Sequence, residues 1–184
     1  MIEQQQNNVV RVFESAENPQ IGRLFWQGIE YPCALGRGGI VSAVNKREGD
    51  GCTPAGIFPL RNAYYRNDKI ERPDTQVQIH ALTPTDGWCD DPSDKNYNCH
   101  VSLPYPTSAE NLWRDDDCYD LLLTIGHNDQ PARPHKGSAV FIHVARPNLT
   151  PTRGCVALSE THLLEVLKTI NSNTLIRIHL PPMA

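Results

Sequence analysis

The sequence predicts a mainly β domain whose strands form a mixed sheet, with one clear helix in the C-terminal half, at residues 159–170. Short runs that alternate apolar and polar residues far outnumber helical ones. Two nearly continuous apolar runs, Tyr119–Ile125 and Gly137–His143, are typical of buried strands, and we expect the two to pair. The helix is predicted because Ser159, a good N-cap, precedes apolar residues at helical spacing.

The first half of the chain contains four further strand candidates, separated by turns. A glycine-rich turn, Leu35–Ile40, lacks the Lys-Ser/Thr of a phosphate-binding loop and is interpreted as a place where strands approach closely. Lys46–Gly56 is polar and glycine-dense, which indicates a loop with turn chemistry at its end. The four strand candidates are Val9–Phe13, Arg23–Ile29, Ile57–Tyr65 and Val77–Ala81.

Residues 83–117 are the least regular part of the chain. Irregular segments of this length inside a compact domain usually form lids or binding loops. We expect Trp88 and Tyr97 to line a substrate site, the alternative being a plain surface insertion anchored by its aromatic residues. The run Asp115–Asp117 lacks the ligand spacing of a calcium loop and is interpreted as a solvated acidic face.

The end of the chain predicts one more strand. Thr174–Leu180 alternates apolar and polar residues, so Ile176, Ile178 and Leu180 are expected to face the core. Pro181 and the proline after it close the fold.

Composition describes an ordinary globular protein and excludes some partners. The 184 residues suit one domain, 1–184, with 39% hydrophobic and 21% charged residues. The net charge is −4 and no basic block is present, which argues against nucleic acid as a partner. No apolar run approaches the ~18 residues of a membrane span.

The N-terminus, Met1–Asn8, lacks a basic start, an apolar segment and a cleavage site, so it does not resemble a secretory signal. We therefore expect a cytoplasmic protein, or a periplasmic one if a signal peptide has been removed.

The cysteines and histidines predict neither a metal site nor a cofactor. No Cys-x-x-Cys pair is present, and the spacing of His127, His135 and His143 fits no local ligand pattern. Of the possible disulfides, Cys89 with Cys99 is the most plausible, although cytoplasmic cysteines stay reduced.

The candidate site is formed by a histidine and a cysteine on either side of one loop. His143 ends a buried apolar run, and Cys155 follows Thr152-Arg153-Gly154. A thiol needs a nearby base to become a nucleophile, and a glycine lets the Gly154 and Cys155 amides point at a developing oxyanion. Taken singly, the histidine could be a core residue and the cysteine a small buried hydrophobe.

These residues resemble a known family. His143, the spacer and Thr152-Arg153-Gly154-Cys155 are similar to the signature of the LD-transpeptidase catalytic domain, the YkuD-like family, in which a second His is usual at the position of Arg153. A second similarity is Thr53-Pro54-Ala55-Gly56-Ile57-Phe58, which matches the early Thr-Pro-x-Gly-x-Phe of the family. The resemblance covers roughly residues 35 to 180.

The resemblance implies the rest of our hypothesis. The mixed sheet is expected to curl into a sandwich or barrel, and the enzyme to act on peptidoglycan stem peptides or muropeptides at the bond to terminal D-alanine. We expect Cys155 as nucleophile and His143 as base, its imidazole oriented by a backbone carbonyl. A hydrolytic LD-carboxypeptidase of peptidoglycan recycling is favoured over a cell-wall cross-linking transferase, and a non-catalytic peptidoglycan-binding module is the remaining alternative.

Four further residues complete the expected binding site. Arg153 and Arg146 are candidates to hold a substrate carboxylate, since a guanidinium pairs with it through two hydrogen bonds. His127 and Asn128 follow the run Tyr119–Ile125, and a loop folded over the site would place them near Cys155.

Overall fold

The computed structural model describes residues 8–182. It confirms a mainly β fold with a helix where the sequence predicts one. The strands are β1 (Val9–Glu14), β2 (Ile21–Trp26), β3 (Ile29–Ala34), β4 (Ile40–Ser42), β5 (Thr53–Tyr65), β6 (Ile79–Ala81), β7 (Asp86–Cys89), β8 (His100–Ser102), β9 (Ala109–Asn111), β10 (Leu121–Ile125), β11 (Phe141–Val144), β12 (Val156–Leu158) and β13 (Leu175–Ile178). The helix is α1 (Glu160–Thr169), and 3₁₀ turns cover Asp117–Tyr119 and Pro147–Leu149.

Eight of the strands form a ring. Their order is β10-β11-β12-β3-β2-β1-β13-β5, and β5 pairs again with β10, so the sheet closes on itself as a barrel. The 13-residue strand β5 allows this closure because residues 56–59 pair with β13 and residues 60–65 with β10. The short strands β4 and β6 add to the two ends of β5 in parallel.

The inside of the ring and one face of the helix share a core. Ser159 caps α1 by accepting a hydrogen bond from the His162 amide at 3.3 Å. The helix buries its apolar side against the barrel, which removes that side from water. Fully buried members of this core include Val10, Leu24, Ile142, Val156, Leu163, Leu167 and Ile176.

Residues 83–117, the insertion, are more regular than their sequence suggests. They contain a separate three-stranded sheet in the order β8-β7-β9. A second apolar cluster lies between this insertion and the outer face of the barrel, where Leu112 and Trp88 pack with Leu122 and Phe141. The insertion therefore covers one outer face of the barrel. The candidate residues His143 and Cys155 lie between the two.

Some strand predictions were wrong in detail. The predicted strand Arg23–Ile29 is the middle of a hairpin, because Gln27 and Gly28 take positive φ of 47° and 81°, the two left-handed residues that a tight hairpin turn needs. The predicted loop Lys46–Gly56 ends early, since β5 begins at Thr53. Leu180, predicted to face the core, lies beyond the end of β13 and is 53% exposed.

The acidic run and the cysteines also differ from expectation. Asp115 and Asp117 are exposed, but Asp116 is paired with Arg114 and Arg146 and so is not simply solvated. All six cysteines are free, including Cys89 and Cys99, which share only a backbone hydrogen bond of 2.9 Å.

Two findings concern membranes and the N-terminus. Within residues 8–182 no helix has the length and apolar character needed to cross a bilayer. Residues 1–7, which carry the expectation about a signal sequence, lie outside the described part of the chain.

Candidate active site

Two parallel neighbouring strands bring the predicted pair together. His143 lies on β11, and Cys155 immediately precedes β12, whose residue Ala157 is the register partner of His143. Phe141 and His143 are two positions apart and so point to the same side of the sheet, the outer face that Cys155 shares with Phe141. Both members of the pair line one cavity between the barrel and the insertion.

The thiol of Cys155 is held by the backbone of the strap, residues 137–140, and of the strand that follows it. Its Sγ donates to the Ala139 carbonyl at 3.3 Å and accepts from the Phe141 amide at 3.4 Å. Cys155 is only 7% exposed, and this burial raises the pKa of the thiol to about 12, although the Phe141 amide acts in the opposite direction. The resting group is therefore a neutral thiol.

The imidazole of His143 has a fixed orientation. Its Nδ1 lies 2.9 Å from the Val144 carbonyl, which can only accept, so Nδ1 carries the proton and Nε2 keeps its lone pair. The Tyr119 ring packs edge-on against the imidazole, with 5.3 Å between ring centroids. Burial lowers the pKa of His143 to about 4, so the imidazole is neutral at neutral pH and its free nitrogen is a base.

The turn before Cys155 is held by a threonine and requires a glycine. Thr152 Oγ1 donates to the Cys155 carbonyl at 2.7 Å and accepts from the Gly154 amide at 3.0 Å. Gly154 has φ +136°, and a β-carbon there would lie 2.9 Å from the Cys52 carbonyl oxygen. Because the Gly154 amide is already paired with Thr152, its role as an oxyanion donor, together with that of the Cys155 amide, stays a prediction.

The cavity in front of this pair has a volume of about 610 Å³, in the range of small-ligand sites. It is lined by charges of both signs, with basic groups in the majority. Its basic side chains are Arg37, Lys46, Arg114, Arg146 and Arg153, and its acidic ones are Glu48, Asp90 and Glu110.

An ion-pair cluster forms one wall of the cavity. Arg114 binds Asp116 through two hydrogen bonds of 2.7 and 2.8 Å, and Arg146 contacts the same carboxylate at 2.8 Å. Glu110 accepts from the Tyr119 hydroxyl at 2.9 Å, and burial raises the pKa of its carboxyl. Through Glu110, this wall joins the insertion to Tyr119, whose aromatic ring packs on His143.

The predicted substrate-binding residues fall into two groups. Arg153 and Arg146 line the cavity, Arg153 with its side chain exposed and Arg146 paired with Asp116. The other four are not among the residues that line it; three of them bind residues 136 and 137, and the fourth, Trp88, binds Asn98. These four are Trp88, Tyr97, His127 and Asn128.

Each of these four makes hydrogen bonds within the protein. The Tyr97 hydroxyl donates to Glu48 and accepts from the Gly137 amide at 3.1 Å. Imidazole Nε2 of His127 lies 2.9 Å from the Lys136 carbonyl, and the Asn128 side chain donates to the Gly137 carbonyl at 2.9 Å. These contacts hold residues 136 and 137, at the start of the strap.

One residue that joins the second group to the strap was not anticipated from sequence. Asn98, in the insertion, accepts hydrogen bonds from Trp88 Nε1 at 2.9 Å and from the Ala139 amide at 3.0 Å. No sequence motif marks it, and its partner Ala139 lies 41 positions away.

Comparison with known proteins gives one match. The family model of the L,D-transpeptidase catalytic domain, YkuD, matches residues 19–178. Neither the curated proteins nor the solved structures yielded a match to the chain.

Proposed function

Because the chain belongs to the L,D-transpeptidase catalytic domain family, we propose that Cys155 is its nucleophile and His143 its general base. The observation that carries this proposal is the shared cavity in which a buried thiol, at the start of β12, lies beside an imidazole with a free Nε2 on the neighbouring strand β11. The proposed substrate is the peptidoglycan stem tetrapeptide, cleaved at the bond to terminal D-alanine.

The first step begins from a neutral pair. With the thiol pKa raised to about 12 and the imidazole pKa lowered to about 4, a preformed thiolate–imidazolium pair is disfavoured. His143 Nε2 therefore takes the thiol proton as sulfur attacks the carbonyl carbon. Val144 assists because its carbonyl accepts from Nδ1 and stabilises the imidazolium as it forms.

The second step releases D-alanine and then resolves the thioester. The imidazolium returns its proton to the amine nitrogen as the carbon–nitrogen bond breaks, which leaves Cys155 acylated. Water then attacks the thioester and gives its proton to His143; the carbon–sulfur bond breaks, the peptide acid is released, and the imidazolium returns the proton to the Cys155 sulfur. An amine in place of the water would form a cross-link instead.

Arg153 is the proposed partner of the substrate carboxylate. It lines the cavity one residue from Gly154 and its side chain is exposed, so a terminal carboxylate could reach it. Arg146 is less available, because its guanidinium contacts Asp116 at 2.8 Å, and it contributes mainly positive potential.

We propose hydrolysis as the main resolving reaction. A cavity of about 610 Å³ suits one donor peptide and water, whereas a second stem peptide would need additional surface. In this version the substrates are soluble muropeptides in the cytoplasm, as part of peptidoglycan recycling. Recovery of the protein in the periplasmic fraction of cells would contradict the recycling role.

The direct test is mass spectrometry of a disaccharide-tetrapeptide incubated with the protein, with and without a free D-amino acid. We expect loss of one alanine residue in water alone, and no reaction with Cys155→Ala. Exchange or dimer formation without net hydrolysis would establish a transpeptidase instead. No reaction by the wild-type protein, combined with peptide binding, would favour the non-catalytic peptidoglycan-binding module.

A further inference from the structure

The strap enters the site in a conformation that its sequence does not favour. Ala139 has φ +51°, in the left-handed region that a residue with a β-carbon adopts only where its surroundings hold it there. The Ala139 carbonyl oxygen is also the acceptor of the Cys155 thiol, at 3.3 Å. The backbone at this one residue therefore decides which atom faces the thiol.

Asn98 of the insertion holds Ala139 in this conformation. Its Oδ1 accepts from the Ala139 amide at 3.0 Å and from Trp88 Nε1 at 2.9 Å. Its Nδ2 donates to the carbonyls of His127 and Asn128 at 3.0 and 2.8 Å. Asn98 is 6% exposed and all four of its side-chain hydrogen-bonding positions are used, so the orientation of its amide is fully determined.

The contacts on either side of Ala139 anchor the two ends of the strap but do not bind the Ala139 amide. Ser138 donates to Glu48 at 2.8 Å and the Gly137 amide to Tyr97, and both anchor the start of the strap. At the other end, the Val140 carbonyl accepts from the Ile125 amide at 3.0 Å, and the Phe141 amide contacts Cys155 at 3.4 Å. Between these points, Asn98 is the side chain to which the Ala139 amide donates.

We propose that Asn98 is a positioning residue for Cys155, which acts through Ala139 to hold a carbonyl on the thiol and keep the thiol protonated until substrate arrives. A hydrogen bond donated by the neutral thiol disfavours the thiolate, whereas the Phe141 amide on the same sulfur favours it. The reaction then begins when the S–H turns from the Ala139 carbonyl to His143.

This arrangement protects the free enzyme. The thiolate is the form that alkylating and oxidising agents attack, so a thiol held by a carbonyl reacts slowly when no substrate is bound. The inference rests on the proposed function, because it takes Cys155 as the nucleophile. Its test uses no peptide, so the two can fail separately.

The experiment is infrared spectroscopy of the Cys155 S–H stretching band, isolated as the difference between each protein and the same protein carrying Cys155→Ala. In Asn98→Ala we expect the band to move to higher wavenumber, as it does when a thiol loses a carbonyl acceptor. We also expect iodoacetamide to alkylate Cys155 about three- to tenfold faster at neutral pH, the effect of losing one hydrogen bond to the neutral form.

The matched control is Asn96→Ala. Asn96 lies in the same loop and donates to the Tyr105 hydroxyl at 2.8 Å, so its loss loosens the insertion without touching the strap. The band and the alkylation rate should keep their wild-type values in this control. An unshifted band in a folded Asn98→Ala protein, or an equal shift in Asn96→Ala, would overturn the proposal. If Asn98→Ala does not fold, Asn98→Ser, whose hydroxyl is too short to reach the Ala139 amide, is judged by the same criteria.

Discussion

Acid should destabilise this protein partly through His143, and the size of the effect follows from its burial. The imidazole is 7% exposed in the folded protein, where burial lowers its pKa to about 4 from an ordinary 6.5. Below pH 6.5 the unfolded chain binds a proton that the folded protein does not, so protonation favours unfolding. The contribution of the neutral His143 to the free energy of unfolding is therefore fully present above about pH 6.5 and is lost as the pH falls towards 4.

The magnitude follows from the two pKa values. Each pKa unit corresponds to about 1.4 kcal/mol, so a complete loss would be on the order of 3 kcal/mol. At about pH 4.5 the unfolded imidazole is almost fully charged and the folded one only partly, which leaves a loss of roughly 2–3 kcal/mol relative to about pH 7.5. A small domain has a total stability of roughly 5–15 kcal/mol, so this fraction is measurable.

The assay is urea denaturation of the wild type and of His143→Asn at both pH values. Asparagine is chosen because its Nδ2 can replace Nδ1 as donor to the Val144 carbonyl while it carries no titrating group. The free energy of unfolding should fall by roughly 2–3 kcal/mol more in the wild type than in the variant. His80→Gln, on strand β6, controls for the loss of a histidine elsewhere and should follow the wild type. Equal losses in wild type and His143→Asn would refute the buried neutral imidazole.

Three further results are expected. Gly154→Ala places a β-carbon 2.9 Å from the Cys52 carbonyl at φ +136°, so thermal denaturation should show a loss of about 2–4 kcal/mol, and a protein of wild-type stability would contradict the close approach. Phe141→Ala removes a fully buried ring that packs edge-on against Trp88 at 5.2 Å, and it should cost about 3–5 kcal/mol in urea denaturation, whereas a loss below 1 kcal/mol would mean that the insertion does not pack there. Arg153→Gln should raise KM for the tetrapeptide about tenfold with little change in kcat, as measured by alanine release, and an unchanged KM would exclude Arg153 as the carboxylate partner.

Much of the barrel could be predicted from sequence because local patterns specify it. The alternation in β1 and β13, the apolar run of β10 and the capped helix α1 each depend on neighbours within a few residues. The hairpin turn at Gln27 was missed because an apolar residue, Ile29, follows it and extends the strand pattern. The closure of the ring could not be derived from pattern at all, because β5 meets strands that come from distant parts of the chain.

The residues of the site also differ in whether local sequence could predict them. His143 and Cys155 could be found because one loop joins them and the intervening residues carry a recognisable motif. The sequence of the insertion predicts irregular structure because its strands are only three or four residues long, too short for a period to show. Asn98 could not be found, since its importance comes from an amide 41 positions away rather than from any neighbour in sequence.

The parallel pairing of β1 with β13 has a consequence for synthesis on the ribosome. Residues Val9 to Val12 pair with Leu175 to Ile178, so this edge of β1 cannot be paired until β13 has been synthesised. Until β13 leaves the ribosome, the open edges of β1 and β5 remain available to other chains, because unpaired strand edges invite association. A stalled nascent chain that ends before β13 should therefore be digested by protease, and one released after it should resist.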